Sequence, residues 1–434
     1  MMRSPGRAVD HGLPSPRTVQ RTYLILTLGS TLATSFIWGI NTIFLLDAGL
    51  SNFEAFAANA FFTAGMVVFE IPTGVTADTV GRRASYLLGT ITLAVSTLLY
   101  VYLWHIHGPF WAWAIASMLL GLGFTFFSGA TEAWLVDALG ATGFTGALES
   151  VFARAQIVGG VAMLTGSVLG GYVAQVTNLG VPFLMRAGVL LIMFVVAFTL
   201  MRDLGFTPVK GTGVRNEMKR IVAASLRDGW RVPSVKWLML SSPFLAGVQI
   251  YAFYALQPYL LKLYGNPKAY GIAGLVAAIA AGAQITGGLA APWVRRFFHR
   301  RTTAIASAAA ASSVILAAMG LIGRFWAVVT LIVVWGLISA ATTPIRQAYM
   351  NGMIPSAQRA TILSFDSMVG SAGGVVAQPV LGRSADVWGY GPSYVVAAGL
   401  SALAVPFILL SRRHADVADT VVAPATPGMR VSEQ

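Results

Sequence analysis

Long apolar runs separated by short polar segments fill most of this chain. About 20 consecutive apolar residues are needed for an α-helix to cross the hydrocarbon of a bilayer, and twelve runs reach that length. We therefore predict an all-α membrane protein with twelve transmembrane helices. The predicted spans are 22–46, 54–75, 85–105, 111–136, 149–176, 182–202, 236–262, 270–292, 303–323, 326–346, 360–386 and 392–411.

Composition supports the membrane assignment and argues against an enzyme. Of 434 residues, 56% are hydrophobic and 10% are charged, whereas soluble domains have about 25% charged residues. Cysteine is absent and the five histidines lack metal-ligand spacing. Since the sequence also lacks a phosphate-binding GxxxxGK[ST] loop and a nucleophile–base pattern, we expect no enzymatic activity, no metal and no cofactor.

The positive charge is explained by membrane topology. The net charge is +13, but the basic residues are scattered through short loops and form no face typical of nucleic-acid binding. Cytoplasmic loops of membrane proteins are enriched in Lys and Arg. With the N-terminus inside, 23 of the 29 Lys and Arg residues fall in cytoplasmic segments and four in outside loops. Both termini are therefore predicted to be cytoplasmic, with the lipid bilayer and not nucleic acid as partner.

A long polar segment divides the predicted spans into six plus six. Residues 204–235 form a central cytoplasmic loop, within which about 216–229 have the pattern of an amphipathic helix lying on the inner leaflet. The predicted N-terminal bundle is 21–203 and the C-terminal bundle is 236–412. Residues 1–20 and 413–434 are polar tails, which we expect to be disordered.

The two bundles show traces of an internal repeat. A shift of 213 residues aligns a Thr-Gly pair and an Arg-Arg pair at the inner ends of spans 2 and 8, and a shift of 211 aligns glycines on spans 5 and 11. Such concordance is expected of repeated halves related by pseudo-symmetry. The aligned positions are Thr73–Gly74 with Thr286–Gly287, Arg82–Arg83 with Arg295–Arg296, Gly159 with Gly370, and Gly171 with Gly382.

The loop after span 2 contains a motif that resembles one family. It has the pattern GxxxDxxGRR, in which glycines permit close approach or positive φ and the arginines can pair with carboxylates. With twelve spans and a long central loop, this resembles the major facilitator superfamily. The resemblance covers about residues 20–412, and the motif residues are Gly74, Asp78, Gly81, Arg82 and Arg83.

Two further segments resemble the branch of this superfamily that exports drugs or metabolites. They are Glu70-Ile-Pro-Thr-Gly74 and the segment from Ser128 to Asp137. The resemblance implies alternating access between two six-helix bundles, with protons as the coupling ion. The sequence departs from proton-coupled exporters in two places: no arginine precedes Gly121 in span 4, and the glycines of span 5 lack the associated proline.

Charged residues within spans are costly and usually face a partner inside the bundle. Glu70, Glu132 and Arg154 fall at similar depth in the cytoplasmic third, with Asp137 and Glu149 close by. We expect Arg154 to face span 2 or span 4 and to pair with a carboxylate there. The cluster either latches the inner ends together or exchanges a proton as the latch opens.

Asp366 in span 11 is a separate candidate for proton handling. We find no basic residue at its depth on spans 8 or 10, and Arg359 lies seven residues away. We therefore expect an unpaired carboxyl that can take up a proton. The alternatives are an ordinary ion facing a wet vestibule, or a hydrogen bond to Ser364 or Ser367.

Mid-span aromatic, methionine and amide residues could line a central cavity for an amphiphilic or aromatic substrate. Interhelical packing or lipid contact is the alternative for each. The candidates lack the density of Asn, Gln and Trp that is typical of a sugar site, and no arginine is placed mid-cavity, so neither a sugar site nor an anion site is expected. The candidates are Phe36, Trp38, Asn41, Phe62, Phe124, Gln249, Tyr251, Tyr254, Gln257, Gln284, Trp335, Phe365 and Met368.

Together these features predict a monomeric, multi-pass carrier of the cytoplasmic (inner or plasma) membrane. The expected task is export of a hydrophobic or amphiphilic small molecule, a drug or a metabolite, by proton antiport. Uptake of a nutrient on the same fold, lipid translocation and a non-transporting receptor are the alternatives. Glycines retained on spans 5 and 11 favour a carrier, because a rocking interface needs close helix approach.

Overall fold

A computed structural model describes residues 14–127, 129–208, 232–354, 359–414 and 419–420. The predicted amphipathic helix of the central loop lies outside these residues. The described chain is almost entirely helical. Its helices are α1 Pro16–Trp38, α2 Asn41–Asp47, α3 Asn52–Thr79, α4 Arg82–Ile106, α5 Phe110–Thr125, α6 Ala130–Ala141, α7 Leu148–Val176, α8 Gly180–Leu200, α9 Pro233–Tyr264, α10 Tyr270–Arg296, α11 Arg301–Ile322, α12 Phe325–Met353, α13 Arg359–Trp388, α14 Tyr390–Ala402 and α15 Ala404–Arg413.

The helices occupy the places of the predicted spans. Within the described residues, ten helical segments are long and apolar enough to cross a membrane, with α5 and α6 counted as one segment and α14 and α15 as another. Helices α1 and α2, bent by 47°, make an eleventh. Helix α13 is 30 residues long but less apolar, since it carries Asp, Gln, Arg and several Ser residues. Large apolar side chains such as Leu289, Val314 and Trp326 are at least 69% exposed, as expected for a surface that faces lipid.

Several helices extend beyond their predicted ends or break within a span. Helix α1 begins at Pro16, capped by the Ser15 side chain, so it includes residues assigned to the N-terminal tail. Helix α12 continues to Met353, well past the predicted end at 346. Helix α9 runs through Pro258 and ends at Tyr264, past the predicted end at 262. Hydropathy marks only the apolar part of a helix, and its polar turns are therefore missed.

The two bundles pack in equivalent ways. In the first, α1 packs on α7, α3 on α5 and α4 on α8; in the second, α9 packs on α13, α10 on α12 and α11 on α14. Between the bundles, α7 packs on α10 and α13 packs on α3. The first contact joins span 5 to span 8, and the second joins span 11 to span 2. Since span 5 corresponds to span 11 and span 8 to span 2 in the predicted repeat, the two contacts are equivalent.

Glycine allows both contacts between the bundles. A Cβ added at Gly171 would lie 2.7 Å from the carbonyl oxygen of Tyr270, and one at Gly382 would lie 2.9 Å from that of Asn52. These two glycines are one of the two pairs aligned by the shift of 211 residues. Backbones therefore approach closely at the same place in each half, which only small residues permit.

These contacts close one end of the molecule. We call the end with the Arg82–Arg83 loop the inner end, following the predicted orientation, and the opposite end the outer end. At the outer end Asp386 of α13 caps the first turn of α3: its carboxylate accepts from the backbone N–H groups of Asn52 and Phe53, each at 2.9 Å. The Tyr390 hydroxyl also donates to the side chain of Asn52.

A second polar contact joins the bundles where α1 breaks. Gln257 of α9 donates to the carbonyl oxygen of Trp38 at 2.9 Å and accepts from the N–H of Thr42 at 2.9 Å. Both backbone groups are freed by the break between α1 and α2. The amide of Gln257, 4% exposed, thus serves the contact between the halves and not the cavity.

The cap from Asp386 gives a prediction about the outer end. Replacing Asp386 with alanine removes a charged acceptor shared between the bundles, so the outer end should open more often. Hydrogen bonds to charged groups contribute about 1.5–3 kcal/mol each, and we expect at least about a tenfold increase in opening. The measurement is the labelling rate of a Gln249→Cys reporter by an impermeant maleimide added outside, in this cysteine-free chain.

Glu54→Ala is the matched control. Glu54 caps the same turn of α3 from within its own bundle, accepting from the N–H of Ser51 at 2.9 Å. Its loss weakens the helix end without separating the halves. Equal labelling rates in wild type and Asp386→Ala would show that the cap does not hold the outer end closed.

Candidate functional site

A central cavity of about 350 Å³ lies between the two bundles. Its walls come from α1 and α3 of the first half and from α9, α10, α12 and α13 of the second. Trp38 of α1 stacks on Phe253 of α9, with ring centroids 4.5 Å apart. The lining is mostly apolar and aromatic, with a few polar groups; it includes Trp38, Phe62, Thr63, Met66, Gln249, Ile250, Phe253, Tyr254, Gln284, Trp335 and Ser371.

Two vestibules connect this cavity with the inner end. The first-half vestibule, about 610 Å³, shares Met66 with the central cavity and contains Glu70 and Glu132. The second-half vestibule, about 490 Å³, shares Gln249 and Trp335 with it and extends to Asn351 near the end of α12. With the outer end closed, this arrangement faces the inner end.

Seven of the thirteen cavity candidates line these three cavities, and an eighth, Asn41, lines a fourth, small cavity of about 50 Å³. The eight are Trp38, Asn41, Phe62, Phe124, Gln249, Tyr254, Gln284 and Trp335. The other five line none of the four cavities: Phe36 and Tyr251 are buried in the cores, Gln257 joins the bundles, Phe365 packs against a core cluster, and Met368 is partly buried. Helical spacing alone could not show which way each side chain points.

Asp366 is paired, contrary to the sequence-based expectation. Arg346 donates to it through both terminal nitrogens, at 2.7 and 2.8 Å. Ser242 of α9 donates to the same carboxylate at 2.7 Å and accepts from Arg346 at 2.6 Å. The expectation was wrong because Arg346 was counted as a cytoplasmic residue at the end of span 10, whereas α12 continues past it to Met353. Three helices of the second bundle therefore meet at one buried ion pair, with Asp366 7% exposed.

The predicted cluster around Arg154 does not form. Glu70 and Glu132 share the wall of the first-half vestibule, but Arg154 is exposed on α7. Within the described residues, no ion pair joins Arg154 to either carboxylate. Similar depth along neighbouring spans did not imply facing sides, because depth leaves the rotation of a helix undetermined.

The loop motif holds the inner ends of the first bundle together. Arg82 pairs with Asp78 and lies 3.8 Å from Asp137, so that α3, α4 and α6 are joined. Asp203, after α8, accepts from the N–H of Arg83 at 2.8 Å. Asp137 therefore belongs to the motif and not to the Arg154 cluster.

The two glycines of the motif play different parts. Gly81 has a φ of +130°, and a Cβ there would lie 2.4 Å from Asp203 Oδ2. Gly74 is helical and a Cβ there would meet nothing within 4 Å. Only Gly81 therefore meets the expectation of positive φ or close approach.

One charged residue of the site was not foreseen. Arg186 of α8, 2% exposed, lines a small cavity of about 50 Å³ with Asn41, Asn59 and Tyr254. This cavity adjoins the central one, because Trp38, Phe62 and Tyr254 line both. The expectation that no arginine reaches the cavity was wrong. The available signal was a single arginine within the apolar span 182–202, which is rare without a function.

The sequence matches one protein family along most of its length. The model described as "Major Facilitator Superfamily" matches residues 23–377, and again 244–427. The chain belongs to the major facilitator superfamily. It is therefore a transporter and not an enzyme, and a multi-pass protein of the plasma or inner membrane. Comparison with curated protein sequences gives no match.

Solved structures of transporters share the fold of this family member. The nucleoside transporter NupG matches with a TM-score of 0.75 at 11% identity, over 91% of this chain and 99% of that chain. A peptide transporter POT in complex with sulfate matches with a TM-score of 0.72 at 13% identity, over 91% and 94%. A D-xylose-proton symporter matches with a TM-score of 0.64 at 14% identity, over 91% and 96%. At these identities the likeness establishes the fold alone.

The contrast between the motif glycines is testable. Gly81→Ala should destabilise the protein by about 1–3 kcal/mol, because a side chain is strained at positive φ and would collide with Asp203. Gly74→Ala should be neutral or stabilising by up to about 1 kcal/mol, since alanine is preferred to glycine within a helix. Thermal unfolding in detergent measures both. Equal melting temperatures for the two variants would contradict the assigned difference.

Proposed function

We propose that this transporter exports a hydrophobic or amphiphilic small molecule by alternating access, in exchange for protons. The observation that carries the proposal is a mostly apolar, aromatic cavity between two bundles, beside a buried Asp366–Arg346 pair. The exporter-like segments around Glu70 and Glu132 support the direction.

The cavity suits an amphiphilic substrate. Trp38, Phe62 and Phe253 offer flat apolar surfaces, on which aromatic or aliphatic groups can pack without fixed geometry. Gln249 and Gln284 add amide groups that can orient a polar substituent. The walls come from both bundles, so rocking of one bundle against the other moves the cavity from one side of the membrane to the other.

The ion pair on α12 and α13 supplies a means of coupling. Arg346 and Ser242 are both joined to the Asp366 carboxylate. In the arrangement that faces the inner end, Asp366 has released its proton through the vestibule and pairs with Arg346. When the cavity faces outside, a proton binds Asp366, and the loss of its negative charge weakens the attraction to Arg346. Helix α13 also carries the Asp386 cap at the outer end, so movement of the second bundle links proton exchange at Asp366 with opening and closing of that end.

Replacing Asp366 with asparagine tests the coupling. The substrate probe is the compound from an amphiphilic panel that most raises the melting temperature of the wild type. We expect Asp366→Asn to lose accumulation of this probe driven by a pH gradient in proteoliposomes, by about tenfold or more, while downhill exchange persists. Asp366→Asn removes the titrating group but keeps a hydrogen-bonding side chain of the same size.

Asp47→Asn is the control for loss of a carboxylate elsewhere. Asp47 is exposed at the outer end, where it accepts from the Trp104 indole at 2.8 Å. This variant should keep gradient-driven transport. Undiminished accumulation in Asp366→Asn would exclude Asp366 as the coupling group. Flux of the probe in the same direction as the protons would replace export with the alternative, proton-coupled uptake.

A further inference from the structure

Arg186 is a buried cation without an anion. Two of its guanidinium nitrogens, Nε and Nη2, are buried and have no hydrogen-bond partner among the described residues. None of the described ion pairs includes it. Its guanidinium lies over the Phe124 ring, whose centroid is 5.5 Å from the guanidinium carbon. A cation–π contact contributes less than an ion pair and leaves the N–H groups unsatisfied.

The surroundings of Arg186 offer donors and no carboxylate. The cavity is lined by neutral side chains besides Arg186 itself. The side-chain oxygen of Asn59 accepts a hydrogen bond from Asn41 at 3.0 Å. The Nδ2 of Asn59 is buried and has no hydrogen-bond partner among the described residues. The Tyr100 hydroxyl is occupied by Ser117 at 2.6 Å. Unsatisfied donors of two residues therefore meet at one small cavity, which is the requirement for binding an acceptor that carries negative charge.

The small cavity that contains Arg186 lies next to the central cavity, where the transported molecule is proposed to bind. Trp38, Phe62 and Tyr254 separate the small cavity of about 50 Å³ from the central cavity of about 350 Å³ and line both. A compact charged group fits the first and an aromatic or aliphatic body fits the second. Because Tyr254 belongs to the second bundle and Arg186 to the first, a molecule bound across both cavities would contact both halves.

We infer that Arg186 binds the anionic group of the substrate, and that this transporter carries amphiphilic organic anions such as aromatic carboxylates. The inference rests on the proposed function in that it names the substrate class of the same cavity. It excludes lipophilic cations, which a buried positive charge without a counter-ion repels. Bidentate pairing of a carboxylate with guanidinium would satisfy the free N–H groups.

Binding of a matched pair of probes tests the inference without requiring transport. The probes are benzoate, 2-naphthoate and 4-phenylbenzoate, each with its neutral carboxamide, titrated against the purified protein in detergent by thermal stabilisation. Wild type should bind at least one carboxylate about tenfold or more tightly than its amide. Arg186→Gln should abolish that preference, and Arg186→Lys should keep part of it. Arg383→Gln, which removes an exposed arginine from α13, should leave it unchanged.

Asn59→Asp gives a second variant that should fold well. It places a carboxylate in the cavity with Arg186, so it should raise the melting temperature without ligand and abolish carboxylate binding. Equal affinity of wild type for acids and amides, no binding of any of the three acids, or a persisting preference in Arg186→Gln would each overturn the inference. Anion binding without flux in proteoliposomes would instead count against the proposed function alone.

Discussion

The cost of a charge in a low-dielectric interior determines how this structure is arranged. A charge within a membrane bundle must find a partner or reach water. Asp366 finds Arg346, Arg82 lies between Asp78 and Asp137, and Asp386 accepts from the exposed N–H groups of α3. Each of these contacts joins different helices. Arg186, which lines the small cavity beside the central one, is the exception: it has no anionic partner among the described residues.

The contacts within a bundle differ in kind from those between bundles. Ion pairs join helices inside each half, at the Arg82 loop in the first and at Asp366 in the second. Between the halves, glycine-mediated backbone contacts and capping of free N–H groups dominate, at Gly171, Gly382 and Asp386. The contacts between the halves can be broken without leaving an unpaired charge inside the bilayer, because Asp386 lies at the outer end. This difference suits two rigid halves that rock against each other.

The sequence was sufficient for the fold and only partly sufficient for the site. Apolar length located the spans, and the loop motif indicated the family. Arg346 was missed because hydropathy ends a span where polar residues begin, although the helix continues. Arg154 was misplaced because depth in the membrane says nothing of helix rotation. The cap from Asp386 joins it to Asn52, more than 300 positions away in the sequence. A contact between such distant residues cannot be predicted from a local sequence pattern.

If the two halves move as rigid bodies, opening of the outer end closes the inner end. Nitroxide pairs at Phe53 with Tyr264 and at Val80 with Phe297, all exposed, report the two ends by electron–electron distance measurements. Comparison of wild type with Asp386→Ala needs no ligand. The account predicts a new population with a longer outer distance and, in equal proportion, a shorter inner distance. A longer outer distance with the inner one unchanged would contradict it.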